Sequence, residues 1–251
     1  MFQTFLILQI YHIKNPNANN ESIKISTENR QFATDLFKKL GTNFATDKVY
    51  GHSFENLYGQ ILGSIRLEKM NFLEIGLGCD MPKGPGWSIP VWKEFLPNAT
   101  ISMLEYDGTC AKQFESQVEH LFIGDQSDLS FLKNIGENYG PFDVVVDDGG
   151  HSRKMQLYSL MGMWPFIHQN GVYVIEDIFT SFMPNTDFFF FNDHNTTVID
   201  LILELIIILN IPPVSKPHIL PNIPLSKDAL KISQDLISIN CFKHACALIK
   251  K

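Results

Sequence analysis

Two short runs of mostly β-branched residues in this chain stop abruptly at carboxylates. The first reads Phe-Asp-Val-Val-Val-Asp-Asp-Gly-Gly-His over residues 142–151, and the second reads Gly-Val-Tyr-Val-Ile-Glu-Asp over residues 171–177. If these two strands lie side by side, about 4.8 Å apart, their terminal carboxylates meet at one edge of a sheet. A cluster of carboxylates is costly unless protons or a cation neutralise it. The pattern therefore predicts a site for a divalent cation that prefers oxygen ligands, such as Mg²⁺.

His151 follows the first acidic strand end directly. Histidine exchanges a proton near neutral pH, so beside a metal it could act as a general base. A lone histidine is more often a capping or core residue, but its position after Asp147, Asp148 and two glycines favours the catalytic interpretation. Successive residues of a strand point to opposite faces, and this assigns Asp147 a structural or supporting role behind Asp148.

The elements that would hold these strand ends alternate between strand and helix along the chain. Apolar runs predict strands at residues 71–75, 101–105, 120–123, 142–146 and 172–175, and a last, antiparallel strand at 241–249. Helical patterns lie between them at residues 90–95, 110–118, 129–138 and 156–168. Repeated strand-helix alternation implies right-handed crossovers and a mostly parallel sheet with helices on both faces. The expected fold class is a Rossmann-like α/β domain.

The chain has 251 residues, enough for one substantial core. We expect a partly flexible lead-in over residues 1–30 and a single domain over residues 31–251. An aromatic-rich stretch near residues 180–197 has the length of a lid over an acceptor, although its phenylalanines could equally pack on the domain.

Composition excludes several classes of partner and indicates a compartment. A net charge of −7 argues against binding nucleic acid. The apolar stretch at residues 2–13 is too short to span a membrane, although a truncated signal anchor stays open as a minority alternative. The four cysteines form no Cys-x-x-Cys pair, so we expect no zinc site and no disulfide framework. These features favour a reducing, cytoplasmic location.

Glycines and acids at the ends of the first three predicted strands indicate the cofactor. Gly76 and Gly78 follow the first strand and lead to a helix that Ser88 could cap; Glu105 ends the second strand, and Asp125 follows the third. In an open α/β sheet, ligands bind beyond the carboxyl ends of the strands. Glu105 could accept hydrogen bonds from ribose hydroxyls, and the loop at Asp125 could hold an adenine edge. This arrangement describes S-adenosylmethionine (SAM) better than NAD, because the third glycine of the dinucleotide motif is missing.

Together these segments resemble class I SAM-dependent methyltransferases, and among them the metal-dependent macrolide sugar O-methyltransferases of the mycinamicin and tylosin type, with related uncharacterised eukaryotic sequences. The matching segments are Ala-Thr-Asp-Lys at 45–48, Leu-Glu-Ile-Gly-Leu-Gly at 73–78, Gly-Asp-Gln-Ser-Asp at 124–128, Asp-Asp-Gly-Gly-His at 147–151 and Ile-Glu-Asp-Ile-Phe-Thr-Ser at 175–181. They span roughly residues 41–182. The family has glycine where this chain has Ala45 and serine where it has Gly150, and neither change removes a catalytic group.

The resemblance implies a function and a set of site residues. The expected activity is Mg²⁺-dependent, or other divalent-cation-dependent, O-methylation of a sugar or other small molecule with a vicinal diol; a homo-oligomer is left open. The implied metal ligands are Asp148, Glu176 and Asp177, and the implied base is His151. The implied cofactor-binding residues are Glu74, Gly76, Gly78, Glu105, Asp125, Gln126 and Asp147. Two other classes stay open, namely a non-catalytic SAM-binding or partner-binding domain and a nucleotide-dependent oxidoreductase.

Overall fold

A computed structural model describes residues 16–183, 196–211 and 225–251, with side chains from residue 29 onward. The strands are β1 (Met70–Ile75), β2 (Ala99–Glu105), β3 (His120–Ile123), β4 (Phe142–Asp147), β5 (Ile167–Ile175), β6 (Leu236–Phe242) and β7 (Ala245–Lys250). The helices are α1 (Pro16–Asn43), α2 (Asp47–Tyr50), α3 (Glu55–Leu62), α4 (Ser88–Phe95), α5 (Gly108–Ala111), α6 (Leu129–Tyr139), α7 (Arg153–Met163), α8 (Val198–Asn210) and α9 (Lys227–Ser233). Three 3₁₀ helices lie at Lys112–Gln117, Trp164–Phe166 and Ile178–Phe182.

The seven strands form one sheet in the order β3-β2-β1-β4-β5-β7-β6. The first five are parallel, β7 runs antiparallel to β5, and β6 runs antiparallel to β7. The predicted mostly parallel sheet with an antiparallel end is therefore confirmed. The strand order reverses between β1 and β4, which is where an open α/β sheet leaves a crevice for ligands.

Both faces of the sheet are buried, because successive side chains of each strand enter different apolar clusters. On β1, Phe72 packs with α1, α3 and α4, while Leu73 and Ile75 pack with α6, α7 and α8. Trp92 lies near the centre of the first cluster, with its ring centroid 4.8 Å from those of both Tyr58 and Phe72. Burial on both faces explains why these strands read as continuous apolar runs rather than alternating ones.

Several expectations about individual elements were wrong. Residues 241–249 form no single strand but the end of a hairpin, because the chain reverses at Lys243 and at His244, which has a φ of 67°. Helix α1 begins at Pro16, within the predicted lead-in, and the partly flexible lead-in over residues 1–30 stays a prediction. Ser88 does not cap α4, because its hydroxyl donates to Glu74 Oε2 at 2.6 Å. Most of the proposed lid, residues 184–195, lies outside the described residues.

The expectation of unpaired cysteines was also wrong. Cys79 pairs with Cys110, and Cys241 pairs with Cys246, so all four cysteines are in disulfides. The partners of the first pair are 31 residues apart and come together only because β1 and β2 are adjacent in the sheet. None of the described helices is long and apolar enough to cross a membrane.

The burial of β1 can be tested by a matched pair of leucine truncations. Leu73→Ala removes a fully buried side chain, so we expect the free energy of unfolding to fall by about 2–5 kcal/mol. Leu67→Ala is the control, because Leu67 is 59% exposed, and its change should stay within about 0.5 kcal/mol. Urea unfolding measures both, and equal losses would contradict the packing of β1.

Candidate active site

Backbone hydrogen bonds join the carboxyl ends of β1, β4 and β5 into one edge. The amide of Asp148 donates to the carbonyl of Ile75 at 2.9 Å, and the amide of Glu176 donates to the carbonyl of Asp147 at 3.0 Å. The two acidic strand ends are therefore adjacent, as the sequence predicts, and their side chains emerge beside the loop that follows β1.

Asp148, His151 and Asp177 form a compact cluster at this edge. One potential ligand atom from each lies within 4.8 Å of the others. The Nε2 atom of His151 is 3.8 Å from Asp148 Oδ1 and 3.5 Å from Asp177 Oδ2. Among the residues described, no hydrogen bond of good geometry reaches buried Asp177 Oδ1, and the Nδ1 atom of His52 lies 3.1 Å from it. Burial, reinforced by the charge of Asp148, raises the pKa of Asp177. A buried oxygen with a free lone pair in an acidic cluster is the donor set that a divalent cation fits.

Two members of this cluster adopt a backbone conformation that side chains rarely take. His151 and Asp177 each have a φ of 52°, in the left-handed region. The hydroxyl of Thr180 donates to the carbonyls of both residues, at 3.0 Å and 2.9 Å. Non-glycine residues in this region cost free energy and concentrate at functional sites. The strain therefore supports a functional role for this pair.

Lys48 is a functional residue that the sequence analysis missed. Its ammonium is buried and lies 2.5 Å from Asp148 Oδ2, 2.8 Å from Glu176 Oε2 and 3.1 Å from Glu74 Oε1. Burial by itself lowers the pKa of Lys48, but the three carboxylates outweigh it and raise that pKa well above its usual value. Burial by itself would raise the pKa of Asp148, but the Lys48 ammonium, His151 and hydrogen bonds together outweigh it and lower that pKa. The matched Ala-Thr-Asp-Lys segment at residues 45–48 was a signal for this residue, although it gave no position for the side chain.

Glu176 does not join the cluster of Asp148 and Asp177 in this structure. Lys48 donates to one of its carboxylate oxygens, and the hydroxyl of Tyr58 donates to the other. Burial and the charge of Asp148 raise the pKa of Glu176 well above its usual value. In the structure, the side chain that lies beside Asp148 and Asp177 in the compact cluster is His151. The sequence analysis had named Glu176 as the third metal ligand.

The loop after β1 lies directly against the acidic cluster. Gly76 has a φ of 99°, and a Cβ atom at this position would overlap the backbone oxygen of Asp148. Glu105 supports the loop, because its Oε2 accepts a hydrogen bond from the amide of Leu77 at 2.9 Å. The other oxygen of Glu105 accepts from the amides of Tyr106 and Asp107. Gly76, Gly78 and Glu105 therefore share one rim of the cleft.

Three residues expected to bind the cofactor are instead buried in the protein. Gln126 donates to Asp147 Oδ1 at 3.0 Å and accepts from the amide of Gly150 at 2.7 Å. Asp147 also accepts from Ser159 and Tyr173, and burial raises its pKa to about 6. Glu74 contacts Lys48 and Ser88, as described above. These side chains brace the strand ends, and cofactor binding by Glu74, Gln126 and Asp147 stays a prediction. Asp125 stays half-buried at the edge and accepts from the amide of Ser127.

His52 contacts the cluster at the Asp177 oxygen other than the one nearest His151, and no sequence signal indicated this. Its Nδ1 atom is 3.1 Å from Asp177 Oδ1. Its ring stacks on Phe54 with centroids 4.9 Å apart and lies edge-on to His244 of the β6–β7 turn. Asp177 is thus flanked by two imidazoles.

Comparison with known proteins places this geometry in context. No family model matches the chain. It is 33% identical over 154 residues to L-olivosyl-oleandolide 3-O-methyltransferase of Streptomyces antibioticus, a match covering 60% of this chain and 39% of that protein. It is 34% identical over 152 residues to mycinamicin VI 2''-O-methyltransferase of Micromonospora griseorubida, covering 58% and 37%. The matches therefore span less than two fifths of these curated relatives.

Solved structures show the same fold. The chain superimposes on MycE methyltransferase of the mycinamycin biosynthetic pathway, in complex with Mg and SAH, with a TM-score of 0.69 and 25% identity. That match covers 96% of this chain and 62% of MycE. A second crystal form of MycE gives a TM-score of 0.68 at 25% identity and covers 85% of this chain and 54% of MycE. The fold is therefore that of class I SAM-dependent methyltransferases, and the sequence is similar to sugar O-methyltransferases.

The Lys48 ion pairs can be tested by neutralising the ammonium. Lys48→Met leaves the buried carboxylates without a counter-ion, so we expect the free energy of unfolding to fall by about 3–5 kcal/mol in metal-free buffer. Lys38→Met is the control, because Lys38 is 65% exposed and lies 3.8 Å from Glu55; its loss should not exceed about 1 kcal/mol. Chemical unfolding of both variants measures the difference. A similar, small loss in each would contradict the central role of Lys48.

Proposed function

We propose that this chain is the catalytic domain of a SAM-dependent O-methyltransferase that methylates a hydroxyl of a sugar or another vicinal diol with the help of Mg²⁺. The observation that carries the proposal is the contact between the glycine loop and the acidic cluster. Gly76 abuts the backbone of Asp148, so a cofactor held at the loop and an acceptor held at the cluster would be neighbours. Bringing the reacting groups together is itself a large part of catalysis.

The cofactor proposal rests on the rim formed by Gly76, Gly78, Glu105 and Asp125. Glycine at the first two positions permits positive φ and leaves space at the loop. Glu105 accepts one amide hydrogen bond at Oε2, which leaves a lone pair for a ribose hydroxyl. When bound, SAM would supply the methyl group on a positively charged sulfur, and the acidic rim suits that charge.

The metal proposal rests on Asp148 and Asp177. The Oδ1 atoms of both residues are free of the Lys48 ammonium, and the neighbour of Asp177 Oδ1 is the imidazole of His52, whose Nδ1 atom lies 3.1 Å away. Lys48 and Tyr58 each donate to one oxygen of Glu176, so Glu176 would become the third ligand through a remaining lone pair or by leaving one of these donors. A bound Mg²⁺ would lower the pKa of an acceptor hydroxyl and offset the excess negative charge of the cluster.

His151 is the proposed general base. Its Nε2 atom faces both aspartates, whereas its Nδ1 atom is buried without a hydrogen-bond partner among the described residues. Nε2 would take the proton from the acceptor hydroxyl as the methyl group is transferred. The left-handed backbone of His151, held by Thr180, fixes the direction of the ring.

The acceptor class and the compartment follow from separate observations. By their names, the relatives described above methylate glycosylated macrolides, which supports a sugar hydroxyl as acceptor, and the net charge of −7 disfavours nucleic acid.

The sequence indicated a cytoplasmic location, but two disulfides weigh against it, because disulfides are rare in reducing compartments. We therefore propose that the protein works in an oxidising compartment.

The cofactor proposal predicts binding of S-adenosylhomocysteine (SAH) that depends on Glu105. Glu105→Ala removes both the ribose acceptor and a support of the loop, so we expect affinity to fall by about 10–100-fold. Glu115→Ala is the control, because Glu115 lies on the 3₁₀ helix Lys112–Gln117, outside the proposed rim. Isothermal calorimetry measures both. Tight binding of NAD with no response to SAH would refute the cofactor.

The metal and base proposals predict a metal-dependent methyl transfer. Chelation should abolish transfer to vicinal-diol acceptors while SAH stays bound, because the metal and cofactor sites use different residues. His151→Ala should lower kcat by about 10²–10⁴-fold, with Mg²⁺ affinity little changed. Transfer of the radiolabelled methyl group from SAM, with His120→Ala as control, measures these effects. Full activity in excess chelator, or in His151→Ala, would refute this mechanism.

A further inference from the structure

The disulfide between Cys79 and Cys110 joins the two loops on which the proposed cofactor site depends. Cys79 directly follows the Gly76-Leu77-Gly78 turn after β1, and Cys110 lies in α5, five residues after Glu105. The Cα atoms of the two cysteines are 6.0 Å apart. The covalent link therefore spans the gap between the glycine loop and the segment that carries the ribose-binding acid.

A chain of short contacts leads from Cys110 to the glycine loop. The amide of Cys110 donates to the side chain of Asp107, and the amide of Asp107 donates to Glu105 Oε1. Glu105 Oε2 in turn accepts from the amide of Leu77. Moving Cys110 would therefore shift the carboxylate that holds the loop, so the disulfide and the hydrogen bonds support one arrangement.

The segment that follows Cys79 is held mainly by local hydrogen bonds, because the amides of Met81, Gly84 and Gly86 donate to the carbonyls of Gly78, Met81 and Leu77. Residues 80–83 are exposed, and Gly84 and Gly86 have φ values of 87° and 81°. The segment regains close packing at Gly86, which lies against the ring of Phe114. A segment that is exposed and rich in glycine loses order readily when a covalent anchor is removed.

We propose that Cys79 and Cys110 are positioning residues, whose disulfide holds the glycine loop and Glu105 in the geometry that binds the cofactor. This inference rests on the proposed cofactor site. A dithiol reductant would break the S–S bond by supplying two electrons and two protons; two thiols form, and the reductant becomes a disulfide. The oxidised protein is then the form with high cofactor affinity, because its site is ordered before binding.

The second disulfide provides a matched control. Cys241 and Cys246 are paired residues of the β6–β7 hairpin, and they are 5 residues apart. The order of strands puts β6 and β7 at the end of the sheet remote from β2 and β3. Removing this disulfide also removes one covalent bond, but it leaves both cofactor loops tied together.

The test compares the two double serine variants by calorimetry with SAH. The variant with Cys79→Ser and Cys110→Ser should bind SAH about tenfold more weakly than the oxidised, unaltered chain. The variant with Cys241→Ser and Cys246→Ser should stay within about twofold. In methyl-transfer assays, KM for SAM should rise more than kcat falls in the first variant, whereas partial unfolding would lower kcat in proportion to the folded fraction.

Chemical rescue separates positioning from general stability. In the Cys241→Ser, Cys246→Ser background, a dithiol frees Cys79 and Cys110, and 1,3-dichloroacetone then joins them; two S–C bonds form and two chloride ions leave. Reduction should weaken SAH binding and the new bridge should restore it. Unchanged affinity after reduction, or in the Cys79→Ser, Cys110→Ser variant, would overturn this inference alone. No SAH binding by the oxidised, unaltered chain would overturn the cofactor proposal and this inference with it.

Discussion

The ammonium of Lys48 neutralises carboxylates that follow or belong to three neighbouring strands, and the carboxyl edge of the sheet depends on it. Glu74 belongs to β1, Asp148 follows β4 and Glu176 follows β5, and all three contact the same buried nitrogen. Without a cation, burial of these groups would oppose the strand pairing that brings them together. Because Lys48 lies on α2, the same contacts attach the helices that precede the sheet to its carboxyl edge.

Excess negative charge remains at this edge after Lys48 is counted. Asp177 is not among the carboxylates that Lys48 contacts, and its neighbours are the imidazoles of His151 and His52. Lys48 holds Glu74 and Glu176 inside the protein, whereas Asp148 contacts both Lys48 through Oδ2 and the His151 imidazole through Oδ1. Left-handed backbone at His151 and Asp177 directs their side chains there, and Gln126 fixes the turn between Asp148 and His151 through the amide of Gly150.

The sequence predicted the features that depend on local pattern. Strand-helix alternation and the acidic strand ends are local, and the parallel order follows from them with few alternatives. Lys48 was missed because its contacts join residues 100 and 128 positions apart. Glu74, Gln126 and Asp147 carry polar side chains at the right strand ends, but their burial depends on packing that a residue type does not reveal. The disulfides likewise depend on strand order and on the β6–β7 turn rather than on cysteine spacing.

The contact between Gly76 and the backbone of Asp148 means that a change in the loop after β1 constrains the loop after β4. A side chain at Gly76 would displace the loop that carries Asp148 and Gly149. Insertions that adapt an enzyme of this kind to a new acceptor must therefore accumulate elsewhere, in segments that reach the cleft without passing between β1 and β4. We expect the sequences of relatives to differ most in the segments that flank the cleft, and the loops after β1 and β4 to change together.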